Sequence, residues 1–526
     1  MVKNYVLIIF FILTEYSFGF SQSDFKVSTP YPSVYGTPYY FSRDNSILAV
    51  KISPSEVNIQ KFNIQSQAQI CQEKYNDFSE FTQFEYVVEY NKRYFIIYSL
   101  WDKQNQYEQL FYREIDFASG KFINTGTLIF RIEGKVAGNA PYQFNWTFGL
   151  YVTFNSNFQT TNKFLFSISA DSKKLLIGYK RPSKEKRDKL NYDIYGYCLL
   201  DENLKIEWDK EIEMPYSEAA LEIRDNAIDI NGNVNILSAV YENGAKKGSD
   251  LFRIELLKLK KNTDNFEITK IDTKSKIIFS MFLTCNEKGQ TWCFAFYRDH
   301  FSDIGHKGLL TAKIIENEIS NTSIYEFPKE ILNQYKNTDE TDYIEDAEIN
   351  NIEFNEDESI TLFGGQSFYL TETYVTYGMA RTKNTFYFSD ILVMKINPEN
   401  KLKWMARLPK SQKVIYSNSA MPSYRVIQGE NKYWVIFIDH PKNKDIAFDK
   451  EPKSLKGLIG VLSAFRLDKE SGNYDKIQIF DTKNIDGIKK VKLNFGKLIE
   501  TNKREFVTEI FTNENTQALL KVNFNK

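Results

Sequence analysis

Histidine and cysteine are scarce in this chain: 3 and 4 residues in 526. Four Cys in so long a chain exclude a disulfide-dense mini-scaffold. Few His weaken, without excluding, a Ser-His-Asp hydrolase, which needs only one. Proline at 13 and glycine at 24 are too few for a collagenous or low-complexity chain. No charge sign dominates: 67 basic residues face 68 acidic ones, a net charge of -1, which argues against bulk electrostatic binding to nucleic acid. After the first residues no apolar run reaches 18, so no later transmembrane helix is expected. Signature loops are missing as well. There is no G-x-S-x-G, H-E-x-x-H, P-loop or G-x-G-x-x-G, so no cofactor is expected from motifs.

What is abundant is aromatic residues: 42 Phe and 33 Tyr within a 42% apolar composition, which excludes disorder. The first 21 residues read as a secretory signal. Lys3 supplies the basic start, Tyr5 to Leu13 (YVLIIFFIL) the short apolar run, and Gly19 and Ser21 the small residues before a cut at Gln22. The alternative is a retained N-terminal anchor. Residues 22–526 are then expected as one domain, secreted, periplasmic or on the cell surface.

A strand, a short polar turn and a second strand recur along the chain. The eight turns centre near Asp44, Asn91, Ser172, Asn231, Lys288, Asp357, Glu430 and Asn502. Their flanks are β-branched and aromatic, and their centres hold Asn, Asp, Gly, Ser, Lys or Glu. A further strand pair follows each hairpin, as in QLFYREIDFASGKFINTGTLIF and LFRIELLKLKKNTDNFEITKI. The last unit is one strand short, and DFKVST, residues 24–29, has no partner of its own. The pattern predicts an all-β chain: a β-propeller of eight four-stranded blades, about 63 residues each, closed by the N-terminal strand. Seven blades is the runner-up, and two or three β-sandwich domains the other alternative. Helix is expected at most as one or two turns near FPKEILNQYKN, Phe327 to Asn337.

One stretch carries a family resemblance. FSDILVMKINPENKLKWMARL (Phe388 to Leu408) resembles the repeat abbreviated SBBP, a β-propeller repeat of secreted bacterial proteins, at Asp390, Lys395, Asn397, Leu402 and Trp404. Asn400 stands where that repeat has its turn glycine. YDIYGYCLLDENLKIEW (Tyr192 to Trp208) follows the pattern more loosely, so the resemblance covers two of eight units. It implies the fold and no common catalytic residues.

Antiparallel alternation puts the first turn of every blade on one face and the longer connections on the other. The irregular insertions fall on this second face: residues 134–161, 181–189, 299–307, 337–348, 367–387 and 440–456. Binding is expected there. The aromatic insertions offer Tyr142, Phe144 and Trp146, and Tyr369, Tyr374 and Tyr377, as either a contact surface or a cap over the channel. DHFSDIGH places His300, Asp303 and His306 within metal-ligand reach in sequence, at a spacing that matches no established motif; exposed loop residues are the plainer reading. The acidic run NTDETDYIEDAE has no calcium-loop pattern. Basic loops near Lys184, Lys246 and Lys442 suit an anionic partner, or solubility alone. Cys285 and Cys293 flank a hairpin turn, leaving a disulfide and two buried thiols as open readings. The sequence-based expectation is a monomeric, exported binding or scaffold module for a protein or glycan, with a propeller-fold glycan hydrolase or lyase as the alternative.

Overall fold

The computed structural model describes residues 24–54, 56–140, 162–183, 191–242, 252–335, 340–376, 379–415, 424–457, 459–481, 492–513 and 515–524. The expected signal segment lies outside them. Eight antiparallel sheets follow one another along the chain. We number the blades by their innermost strands: Thr37–Arg43, Gln83–Tyr90, Leu165–Ile168, Leu221–Ile228, Ile277–Cys285, Ala347–Phe354, Tyr424–Gln428 and Lys492–Asn502. In blades 1 to 7 chain order runs from the inner strand outward. Blade 8 takes its outermost strand from the other end of the chain: Asp24–Val27 pairs with Leu520 to Asn523. The expected eight-bladed ring, closed by the N-terminal strand, is what the chain forms.

Turn chemistry explains the hairpins. Asp44 and Asn45 join the paired Arg43 and Ser46 at φ 48° and 57°, and Asn91 and Lys92 join Tyr90 and Arg93 at φ 48° and 58°. Two successive positive φ values give the turn whose twist matches the strands it joins.

Packing explains the aromatic content. The core is not one cluster but eight, each shared by two consecutive blades, and the eighth joins blade 8 to blade 1 through Ile47, Ala49, Phe62, Val507 and Leu519. Central strands are buried on both faces. In blade 7, Val435 and Phe437 pack toward blade 6, while Trp434, Ile436 and Ile438 pack toward blade 8. A strand sandwiched in this way reads as a continuous apolar run, and large flat side chains fill the wedge between twisted sheets.

The family-like stretch forms the third and fourth strands of blade 6. Asn400, in the glycine position of the repeat, adopts φ 59°. Asn tolerates this region better than most residues. Its side chain also donates to Ser323 Oγ at 2.6 Å and accepts from Tyr325 Oη at 2.7 Å, linking blade 6 to blade 5.

The open question at Cys285 and Cys293 resolves as two free, buried thiols. Register is the reason: Cys285 lies opposite Thr291, and Cys293 opposite Leu283. The two are therefore diagonal, farther apart than directly opposed residues. Burial pushes both thiols up to about 12. The only α-helix among the described residues is the four-residue Lys329–Leu332, within the stretch expected for it.

Candidate functional site

The connections after the second and fourth strands share the second face. Its largest described feature departs from expectation. Residues 367–387 were read as a loop, yet they continue the second and third strands of blade 6, Ile360–Thr376 and Met379–Ile396. The inner strand stops pairing at Gln366, whereas the two long strands stay in register from Ser367–Phe388 to Thr376–Met379. The result is a two-stranded hairpin standing beyond the blade. Its sequence carries the cause: Thr, Val and aromatic residues at high density, with no Pro and one Gly, favour strand over loop.

The root of the hairpin is braced. Gln412–Ile415 pairs with Thr385 to Phe388, and Leu455–Lys456, from the long connection of blade 7, adds in parallel. Phe368 stacks on Tyr387 at 4.6 Å. Beneath lies a buried polar network. The Asp390 carboxylate accepts from Arg407 Nε at 2.7 Å, Tyr335 Oη at 2.7 Å and the Lys410 amide at 3.1 Å. Lys410 Nζ donates to Gln412 Oε1 at 3.1 Å, and Gln412 Nε2 to the Ile438 carbonyl at 2.7 Å. Asp439 accepts from Asn443 Nδ2 at 2.7 Å and Lys476 Nζ at 3.2 Å. Lys410 is 3% exposed. Burial pulls its ammonium down to about 7, against the opposing pull of Asp390 and Asp439. Sequence reading flagged Asp390 only as a pattern match; the rest of the network was not found. Its signal was faint: two lysines and an arginine around a strand end, ordinary in a chain with 67 basic residues.

Tyr369 is 58% exposed and Leu370 49%. From Leu370 to Thr376 the strand pairs on one side only among the described strands. Tyr374 lies on this strand, with its side chain outside the described set; Tyr377, Tyr142, Phe144 and Trp146 lie outside the described residues altogether. Whether the two aromatic insertions cap each other therefore rests on residues that are not described.

The histidine loop serves packing. His306 is 3% exposed, its ring against Phe296 and Phe279 at centroid distances of 5.7 and 6.0 Å. Its backbone exchanges two hydrogen bonds of 2.8 Å with Ile344, which ties the acidic segment down. Desolvation lowers its imidazolium to about 3. Asp303 instead turns back, accepting from the amides of Asp299 and His300 at 3.1 and 3.0 Å. Among the described residues no group of three or more His, Cys, Asp or Glu is arranged to hold a metal.

Several inner-strand carboxyls are shifted upward by burial: Glu85 to about 7, Asp225 to about 6 and Glu348 to about 7. Glycoside hydrolysis needs two carboxyls facing one cleft. These three stand on blades 2, 4 and 6, on separate inner strands. Glu85 accepts from Ser99 Oγ at 2.7 Å, and Asp225 from the Leu283 amide at 2.7 Å. Both bonds are internal to the packing.

No family model and no curated protein matches the chain. Among solved structures it is similar to an uncharacterized protein of Listeria monocytogenes, at 9% identity over 82% of this chain and 94% of that one, TM-score 0.38. It is similar to the WD40 domain of SCAP from fission yeast, at 8% identity over 95% and 98%, TM-score 0.36. A third is the β-propeller domain of the Trilobed protease from Pyrococcus furiosus, at 9% identity over 85% and 99%, TM-score 0.35. Likeness at this level carries nothing about activity.

Proposed function

We propose that this chain is an exported binding module that holds a protein partner on the face bearing its long connections, with the blade 6 hairpin as the contact element. The observation that carries this reading is the hairpin itself: a strand with one edge unpaired among the described strands, and exposed Tyr369 and Leu370, standing on a buried, hydrogen-bonded root. Exposed strand edges invite pairing with another chain, and folds usually blunt them with charge or proline. This edge has one Glu and no Pro between Leu370 and Thr376. An added strand would gain main-chain hydrogen bonds there, and the flanking aromatic rings would set its specificity. A glycan partner is the other outcome of the test.

Photo-crosslinking tests the reading. A photoreactive residue is placed at Leu370 or, on the opposite face, at Lys92, and the protein is exposed to envelope extract. We expect one dominant product from Leu370, absent when residues 371–384 are replaced by Asn-Gly and resistant to glycosidase digestion. Equal labelling from both faces, or a product unaffected by the replacement, refutes a hairpin-centred interface; a glycosidase-sensitive product makes the partner a glycan. Export is checked separately: the mature N-terminus, read by mass spectrometry, is expected at Gln22.

A further inference from the structure

The open side of the hairpin continues the line of the blade 6 inner strand. Ala347–Phe354 pairs with the long second strand only as far as Gln366. There the chain bends away. Asp346 has φ 49°, the Ser367 amide donates to its carbonyl at 3.0 Å, and Gln366 Nε2 donates to the Glu345 carbonyl at 3.0 Å. Main-chain groups along a strand point alternately to its two sides, so Thr371, Thr373 and Val375 present theirs on the side of the Ser367 amide. Among the described strands none pairs with that side. A strand added to it would run into the Glu345–Asp346 bend.

The foot of this edge is acidic. Glu345 and Asp346 are exposed, and Glu348 follows half-buried on the inner strand. No ion pair among the described residues includes any of the three, and the neighbouring cations are engaged elsewhere. Lys307 holds Asp299 and Asp342 at 3.4 and 3.0 Å. Arg298, which faces Asp346, donates to the Asp303 carbonyl at 2.6 Å and lies over the Phe279 ring at 4.1 Å. Burial raises the Asp346 and Glu348 carboxyls, Glu348 to about 7, and an acidic neighbour pushes each further. A cation placed beside them would favour the ionised forms. An apolar ledge adjoins the acids. The His306–Ile344 bridge holds the 299–307 loop against this segment, and its Phe301 and Ile304 are 44% and 65% exposed.

Taking the hairpin as the contact element, we propose that its partner is a protein chain supplying an extended strand with lysine or arginine at the end nearest the ring, where it meets Glu345, Asp346 and Glu348. Antiparallel pairing is the more stable arrangement. Ile360–Thr376 runs outward from the ring, so an antiparallel neighbour runs inward and its basic end is C-terminal. Long basic side chains also cover apolar surface with their stems, which suits Phe301 and Ile304 beside the acids. An acidic strand would meet like charge there and be rejected.

The test pans a random-sequence peptide library displayed on phage against the full mature chain. The baits are the parent, the Glu345→Gln/Asp346→Asn/Glu348→Gln variant, and the chain with residues 371–384 replaced by Asn-Gly. Asn tolerates the left-handed backbone at position 346. An unaltered melting curve confirms the fold of the neutral variant; if it does not fold, Glu345→Gln serves alone, with an expected loss of about threefold. The parent is expected to enrich alternating strand formers with Lys or Arg in their C-terminal part. By fluorescence anisotropy the best of these should bind the neutral variant about tenfold more weakly than the parent, a difference that shrinks in high salt. Enriched peptides without basic residues at that end, or equal affinity for parent and neutral variant, overturn the proposal; the hairpin reading survives such a result when the Asn-Gly chain has lost those peptides. No enrichment, or peptides that bind the Asn-Gly chain as well as the parent, overturns both.

Discussion

Lys410 shows how much one buried charge depends on its surroundings. The ammonium is enclosed, has Gln412 as its hydrogen-bond acceptor, and titrates near 7 when folded. An unfolded lysine titrates near 10.4. Between those values the unfolded chain holds one proton more than the folded one, so stability rises with pH across that window. The slope from this residue reaches about 1.4 kcal/mol per pH unit. Replacing Lys410 by Met should remove that slope between about pH 7 and 10 and raise stability at pH 7, as followed by urea unfolding at several pH values. A slope identical to the parent's would show that Lys410 stays charged in the fold. Asn400 makes the complementary point. Its match to a glycine position was legible in the sequence, but its bonds to Ser323 and Tyr325 were not, because the neighbouring blade lies some 75 residues away along the chain.

At the scale of elements, all eight inner hairpins follow from local rules. The turns form where Asn, Asp, Gly and Lys interrupt apolar runs, and short-range chemistry suffices to place them. The blade 6 extension did not follow, because residues 367–387 read as an irregular insertion between strands. Yet SFYLTETYVT has the composition of a strand. Its root is held by the Asp390 network and by the strand Gln412–Ile415. Replacing residues 371–384 by Asn-Gly keeps the Leu370–Thr385 pair and should change the unfolding free energy by less than about 1 kcal/mol. A larger loss in denaturant titration would mean that the hairpin packs on the ring and belongs to its core.

For the whole molecule the decisive contact is the closure between blades 8 and 1. Beside the apolar cluster stands a buried clasp. Lys51 Nζ meets Glu509 at 2.7 Å and Gln517 at 2.9 Å, and Tyr31 and Tyr40 donate to the same carboxylate at 2.8 and 2.5 Å. Lys51 and Glu509 side chains are 1% and 0% exposed. Removing one partner of a buried pair strands the other charge, at a cost of about 3–5 kcal/mol. Lys51→Met should therefore lower stability by that order. Loss of the clasp should also open the ring, read as faster proteolysis of the first and last blades. Unfolding unchanged from the parent would show that closure rests on the apolar cluster alone.

The sequence by itself determined the repeat: strand pattern, turn positions, blade number and the N-terminal strand awaiting a partner. These are encoded within a few residues of each other, where backbone preference and hydrophobic alternation act. Tertiary structure alone decided which residues meet across blades. The free state of Cys285 and Cys293, the burial of His306, the Asp390–Lys410 root and the Lys51–Glu509 clasp all depend on register and on sheets brought together from distant parts of the chain. Local propensity carries no information about such meetings, because burial and desolvation exist only once the ring has formed.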